Sequence, residues 1–559
     1  MHIGIRRGAA LLAAGLAAAF AGAASAGTLS GHVKDEQGRP VVGAMVSVAD
    51  GTRGMAESVF TGRTGGYTLR TGLWGNLKLR VRKAYYADAS RDVTVANSES
   101  ITVDVALSAL KTDQEISDAL PSLSHFSRIA FDAEGPFSRA KFARDCLSCH
   151  AIGNSFTRTP RPPEGWLPTV QRMHGYIGNG DAKAMQRRAE LLSAGLDGKP
   201  VTSRPVFPID PELYKARILQ YRLDGAGVPH DAEYSHRDGK VYTVDMFVDQ
   251  IIVTDLKTGR HEKHPETADG LPPGGAFTKM GAPAPYGLTI SRAPHSLAEG
   301  ADGKWYLTES IGGSIGAFDP VKKTYEHFDV GNGAVYPHSV RVDRKGIVWF
   351  TIAFSNQMGR LDPVSKEMKV INLPATPSMG AACCPVPYGI DVSPVDGSVW
   401  YTKLFGDRIG RIDAQSLEVT EIDSPVEGPR RHRFDKAGNL WIAGFSHGEI
   451  ARLDTRTMKS RVFALPVFAP GEIPSPYALA VHPDTQEIWV NDVNTDHAYR
   501  FIPGEERFVA YPMPLRGTYT RDFTFTKEGW ACSANNPIPA AALEGYTPEL
   551  ICIDTGRRG

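Results

Sequence analysis

Pro294-His-Ser-Leu297, Trp305-Tyr-Leu-Thr-Glu309, Ile315-Gly-Ala-Phe-Asp319 and Tyr325-Glu-His-Phe328 form a set that returns roughly forty residues later. There it reads Pro337-His-Ser-Val340, Val348-Trp-Phe-Thr351, Met358-Gly-Arg-Leu-Asp362 and Met368-Lys-Val-Ile371. Further units open at Pro229-His-Asp-Ala232, Pro387-Tyr-Gly-Ile390, Pro429-Arg-Arg-His432, Pro476-Tyr-Ala-Leu479 and Thr518-Tyr-Thr-Arg521, which makes seven. Each unit holds four short strands, and so small a sheet cannot bury its faces alone. Setting the sheets radially around a channel buries the faces and protects the edges. The repeat therefore predicts a seven-bladed β-propeller over 217–559. The last unit lacks a fourth strand, and Ile218-Leu-Gln-Tyr-Arg-Leu223 stands unpaired before the first. Pairing the two would close the ring.

Ahead of the propeller, over 109–216, apolar spacing becomes helical, with helices expected at 138–150, 166–176 and 181–196. The first carries Cys146-Leu-Ser-Cys-His150, the C-x-x-C-H pentapeptide that attaches a c-type haem. Two thioether sulfurs from Cys146 and Cys149 and a proximal imidazole from His150 come from one short stretch. The other chemistry of such a pair is a redox dithiol or half a zinc site. A sixth iron ligand would come from Met173, His174 or Met185. The segment reads as a small α-helical cytochrome c domain with covalent haem c, its iron held by His150 and by one of those three.

Residues 1–26 have a basic start (Arg6, Arg7), an apolar Ala/Leu run and Ala24-Ser25-Ala26, the grammar of a secretory signal peptide. Export to the periplasm or beyond agrees with a haem attached after secretion, and no later stretch is apolar for long enough to span a bilayer. A formal charge of +0 removes the electrostatic case for nucleic acid as a partner. Of six cysteines, two go to haem. Cys532 and Cys552 fall on neighbouring strands of the last unit and are expected to pair. Cys383-Cys384 is either a vicinal disulfide or two thiols.

In a blade the first strand lines the channel, so its start shares a face with the end of the second. His230, His295 and His338 take equivalent places on three consecutive blades, and Tyr388, Arg430, Tyr477 and Tyr519 complete the ring. Asp245, Glu309 and Asp492 end second strands on that face. Three imidazoles with Glu309 nearby could hold a divalent metal or act as acid and base. Pro-His could equally be a structural end to each inter-blade loop.

Three resemblances bear on this reading. Gly31-His-Val-Lys-Asp-Glu-Gln-Gly-Arg-Pro40, Gly43-Ala-Met-Val46 and Gly65-Gly-Tyr-Thr-Leu69 resemble the carboxypeptidase regulatory-like, transthyretin-type β-sandwich, which implies a scaffold or interaction module over 27–108. Trp166 through Met173 resembles a stretch in the haem domains of quinohaemoprotein amine dehydrogenases, which implies Met173 as the sixth ligand. The propeller unit resembles the streptogramin B lyase family, which places catalytic histidines in Pro-His steps, one of them in Glu-Pro-His. Here Val228, Ala293 and Tyr336 precede the prolines.

The whole chain is thus expected to be multidomain and mainly β. The leading functional expectation is an exported oxidoreductase or electron-transfer protein, in which the propeller binds a small-molecule substrate or redox partner protein and the haem moves electrons. The alternatives are a carbon–oxygen lyase with an accessory haem domain, and a non-enzymatic electron-transfer docking subunit.

Overall fold

The computed structural model describes residues 27–557 except Cys149, Asn179, 280–288 and 332. The expected signal segment 1–26 and Cys149 therefore lie outside the described residues. Blade one is the antiparallel sheet Pro229–Tyr234, Val241–Asp245, Gln250–Thr254 and His261–Pro265, and five more four-stranded sheets of the same order follow. Six first strands open on a proline, at 229, 294, 337, 387, 429 and 476. Proline is tolerated there because the first residue of a strand need not donate to the ladder. Successive first strands touch around the ring, and that of blade one meets Thr524–Phe525 and Ala531–Asn535 of blade seven.

Blade seven is closed as the sequence suggests. Its strand Glu549–Asp554 pairs with Arg217–Arg222, with Cys552 opposite Leu219. Cys532 and Cys552 sit opposite each other on paired strands and form a disulfide.

The N-terminal domain is a β-sandwich, but not a free-standing one. Alternation in Gly27–Asp35 buries Leu29 and Val33 against Val46, Val48, Leu69 and Leu79. Its strand Met55–Phe60 pairs with the free edge of Arg217–Arg222, so one eight-stranded sheet runs from blade seven into the sandwich. The exposed outer edge of a blade is covered in this way. Arg82 adds an ion pair to Glu544 across the seam and one to Asp88 within the sandwich.

The segment between sandwich and propeller holds α1 (Asp113–Ala119), α2 (Ser122–Phe126), α3 (Arg139–Cys146), α4 (Pro163–Tyr176) and α5 (Ala182–Gly195). Thr112 and Glu115 form a capping box on α1, and Asp181 caps α5. A cytochrome c fold is not evident in it. The expected helix 138–150 ends at Cys146, and Leu147, Ser148 and His150 lie outside it. The helices are too short to enclose a core of their own. Phe142, Leu147 and Val170 share one apolar cluster with Tyr388, Phe405 and Tyr519 of the propeller. The helical segment is thus a cap on the propeller mouth. Among the described residues no helix is long and apolar enough to cross a membrane.

The Cys532–Cys552 bridge closes a separation of 20 residues in the blade that seals the ring. Replacing both cysteines with alanine should lower unfolding free energy by about 3 kcal/mol, read from urea unfolding under oxidising conditions. An unchanged midpoint would show that strand pairing alone holds the seam.

Candidate functional site at the capped mouth

Between cap and propeller lies a cavity of about 460 Å³, within the size range of small-molecule sites. The propeller contributes His230, His295, His338, Tyr388, Arg430 and Tyr477, and the cap contributes Ser148, Arg172 and Tyr176. Phe277, Phe354, Val386 and Phe405 make much of the remaining wall apolar.

The residues before the first-strand prolines position this ring. Ala293, Tyr336 and Val386 all have positive φ, at 52°, 68° and 55°. That conformation is costly for tyrosine and valine, on the order of 1–3 kcal/mol each. Their carbonyls are held by the N–H groups of Ser310, Ala353 and Leu404 at the ends of the second strands. The backbone is thereby turned so that the residue after each proline enters the channel.

His230, His295 and His338 are brought together as a column. Ring centroids lie 3.8 Å apart for the first pair, 4.1 Å for the second, and 4.0 Å from His338 to Tyr388. The Nδ1 of His230 donates to the Asp231 carboxylate at 2.9 Å and that of His295 to the His338 carbonyl at 3.1 Å. Burial is the largest cause holding all three imidazoles neutral, with His230 lowered to about 3. The neighbouring imidazoles add to the effect for His295, and Arg431 and His230 add to it for His338. A neutral imidazole with so low a pKa is a weak base and no acid near pH 7.

The structure does not bring the carboxylates to this column. Glu309 is wholly buried beside Arg292, 2.9 Å away, and His327, 2.5 Å away. Asp245 accepts the Gly227 and Val228 N–H groups, and Asp492 accepts those of Ser475, Asn494 and Thr495. These side chains tie down the loops entering and leaving a blade. Among the described residues no three of His, Cys, Asp and Glu converge to hold a metal ion.

The pentapeptide sits on the mouth. Tyr519 donates its hydroxyl to the carbonyls of Leu147 and Ser148 at 2.9 and 3.0 Å, and Arg430 Nη2 reaches the same Ser148 carbonyl at 3.0 Å. Both donors come from the channel-lining ring. Upstream, Arg144 pairs with Asp407 at 3.1 Å, while Asp145 takes Arg188 at 2.5 Å and the Ala381 N–H at 2.9 Å. The residues on either side of Cys146 are thus bolted to the propeller.

Cys146 is a free, half-buried thiol that burial pushes up to about 12, far from the thiolate a redox dithiol needs. His150 Nδ1 donates to the Ala151 carbonyl at 3.1 Å, which leaves Nε2 as the nitrogen for a ligand. Burial, then Arg521, keeps that ring neutral. A free thiol and an imidazole oriented by a carbonyl are donors of the kind a thioether-linked haem uses, and Ser148 between them lines the cavity, whereas Cys146 and His150 are not among its described lining residues.

Met173 is half-buried and is not among the residues lining the cavity; α4 turns Arg172, Gly175 and Tyr176 to it, which share one helix face. His174 is buried with Nε2 3.3 Å from Arg188, and Met185 is in the apolar core. The bonded pair Cys383–Cys384 stands at the rim, where the Cys383 N–H donates to the Ile177 carbonyl at 2.8 Å. Gly178 has φ +71°, and a Cβ there would come 2.9 Å from the Cys383 Cβ.

Residues 286–473, blades two to five, match the virginiamycin B lyase family, and residues 28–108 match the carboxypeptidase regulatory-like domain. The propeller is virginiamycin B lyase-like. A virginiamycin B lyase from Nocardia farcinica is 30% identical over 144 residues, which are 25% of this chain and 45% of that protein. The chain thus spans less than half the length of this relative. A virginiamycin B lyase structure from Staphylococcus aureus aligns at TM-score 0.48 and 17% identity, covering 60% of this chain and 99% of that one. A streptogramin B lyase structure gives 0.49 and 18%, covering 61% and 98%.

The histidine column has a measurable signature. Unfolded, His230 takes up a proton below about pH 6.5, whereas the fold keeps it neutral down to about 3. Its contribution is whole above pH 6.5 and is lost as pH falls. Between pH 6.5 and 5 that loss is about 2 kcal/mol. His230→Gln should therefore lose about 2 kcal/mol less than the wild type over this interval in urea unfolding, and parallel losses would contradict the buried neutral imidazole.

Proposed function

We propose that the chain is an exported c-type haem protein in which the propeller mouth presents a small molecule or a redox partner to a haem held by Cys146, Cys149 and His150. The observation that carries this reading is the pair of hydrogen bonds from Tyr519 and Arg430 to the Leu147 and Ser148 carbonyls. The two residues between the motif cysteines are thus seated on the ring that lines the channel. Haem in such a setting supplies one-electron exchange at iron.

The chain's own side chains do the rest. Asp145 and Arg144 fix the attachment helix, His150 offers Nε2, and the cap adds Ser148, Arg172 and Tyr176 to the cavity wall. His230, His295 and His338 stay uncharged, so they can accept hydrogen bonds without adding positive charge beside the iron. Met173 remains the expected sixth ligand only if α4 turns from its present face, since Arg172, Gly175 and Tyr176 are the residues it offers to the cavity.

A second reading, a carbon–oxygen lyase, is favoured by the match across blades two to five, which contain His295 and His338. In that reading one neutral imidazole would be the base. The divalent metal that could polarise a substrate would have to be held without Glu309, which is committed to Arg292 and His327.

The test is the alkaline pyridine haemochrome of the full chain purified from the exported fraction of a host that attaches c-type haem. About one covalent haem per chain is expected, and none in Cys146→Ser/Cys149→Ser. A wild-type chain that carries no haem in such a host contradicts the reading. Cleavage of a streptogramin B that disappears in His295→Ala and survives the double cysteine substitution would establish the lyase instead.

A further inference from the structure

The mouth cavity holds a guanidinium, that of Arg430, with no carboxylate among its described partners. Arg430 is fully buried; Nη2 serves the Ser148 carbonyl and the Tyr388 hydroxyl, while Nε and Nη1 are buried with no partner. Its guanidinium lies 3.8 Å from the Tyr477 ring centroid and 4.4 Å from that of Phe445. Aromatic faces attract a cation without neutralising it. Arg521 and Arg172 line the same cavity, and none of its described lining residues is Asp or Glu.

Three other buried arginines of this chain each meet a carboxylate. Arg144 meets Asp407, Arg431 bridges Asp231 and Asp522, and Arg500 meets Glu487 and Glu212. Arg430 has no carboxylate among its described partners. A buried guanidinium left in this state is costly unless an anion joins it, and arginine favours planar oxyanions.

We propose that the mouth cavity is a carboxylate-binding site, in which the free Nη1 donors of Arg430 take the anion and Arg521 and Arg172 add charge. The apolar wall of Phe277, Phe354 and Phe405 selects a carboxylate carried on an aromatic or otherwise apolar body. Two sources share that chemistry, a propionate of an attached haem and the carboxylate of a free substrate. The site does not depend on the haem reading.

The experiment is calorimetric titration of the full chain with benzoate and with its neutral isostere benzamide. It is run on haem-carrying protein and on Cys146→Ser/Cys149→Ser. Benzoate is expected to bind with benzamide roughly tenfold weaker or worse, and Arg430→Gln to weaken benzoate by a similar factor. Binding in both protein forms identifies a free carboxylate as the natural occupant, whereas binding only in the haem-free form identifies a propionate.

Because Arg430 also anchors Ser148, its variant is checked by thermal unfolding, and Arg172→Gln at an exposed helix position gives an independent reading. It should weaken benzoate severalfold and leave benzamide unchanged. The proposal is overturned if benzamide binds as well as benzoate, if neither arginine substitution weakens benzoate, or if benzoate binds to neither form. A chain that never acquires haem yet binds benzoate overturns the preceding proposal and leaves this one standing.

Discussion

Two backbone carbonyls, those of Leu147 and Ser148, are held by Tyr519 and Arg430 from the channel ring, and the remaining features of the mouth follow from this contact. It places the short helices of the cap over the open end of the propeller and completes an apolar core that neither part has alone. The histidine column beside it is buried. Burial disfavours charge on imidazole, which is why three adjacent histidines can lie with ring centroids about 4 Å apart without repulsion.

The same geometry separates this mouth from a simple acid–base site. Blade ends need carboxylates for mechanical reasons, because incoming loops leave N–H groups that must be satisfied. Asp245 and Asp492 meet that need, and Glu309 is drawn into Arg292 and His327. What reaches the cavity is cationic or neutral: arginines, tyrosines and uncharged histidines. A lyase-like propeller is here combined with a lining that has arginines and, among its described residues, no carboxylate, and with a roof that carries Cys146-Leu-Ser-Cys-His150.

Much of this was legible in the sequence, and the parts that were not have a physical reason. Seven units and the orphan strand 218–223 were readable because packing repeats itself in each blade, and the pairing of Arg217–Arg222 with Glu549–Asp554 follows from a count of strands. The histidines were readable as a column because they hold one register position. Sequence placed Glu309 near them because strand ends share a face, but it could not show that the side chain turns toward Arg292 instead. It read 109–216 as a separate helical domain, whereas Phe142 and Leu147 pack on Tyr388 and Tyr519, more than two hundred residues away. Non-local burial leaves no local pattern. The docking pair Arg144-Asp145 did leave a trace, since two opposite charges directly before Cys146 on a partly apolar helix call for partners. The continuous sheet from blade seven into the sandwich left none, because edge pairing is made by backbone groups that every sequence has.

In the proposed function, Cys146-Leu-Ser-Cys-His150 delivers an iron centre to the propeller mouth. An anomalous difference map collected at the iron edge, from crystals of the full exported chain, tests it most directly. A single iron peak is predicted beside His150 Nε2, inside the cavity bounded by Arg430, Tyr477 and His338. An iron peak on the solvent side of α3 and α4, or no iron at the motif at all, would contradict it.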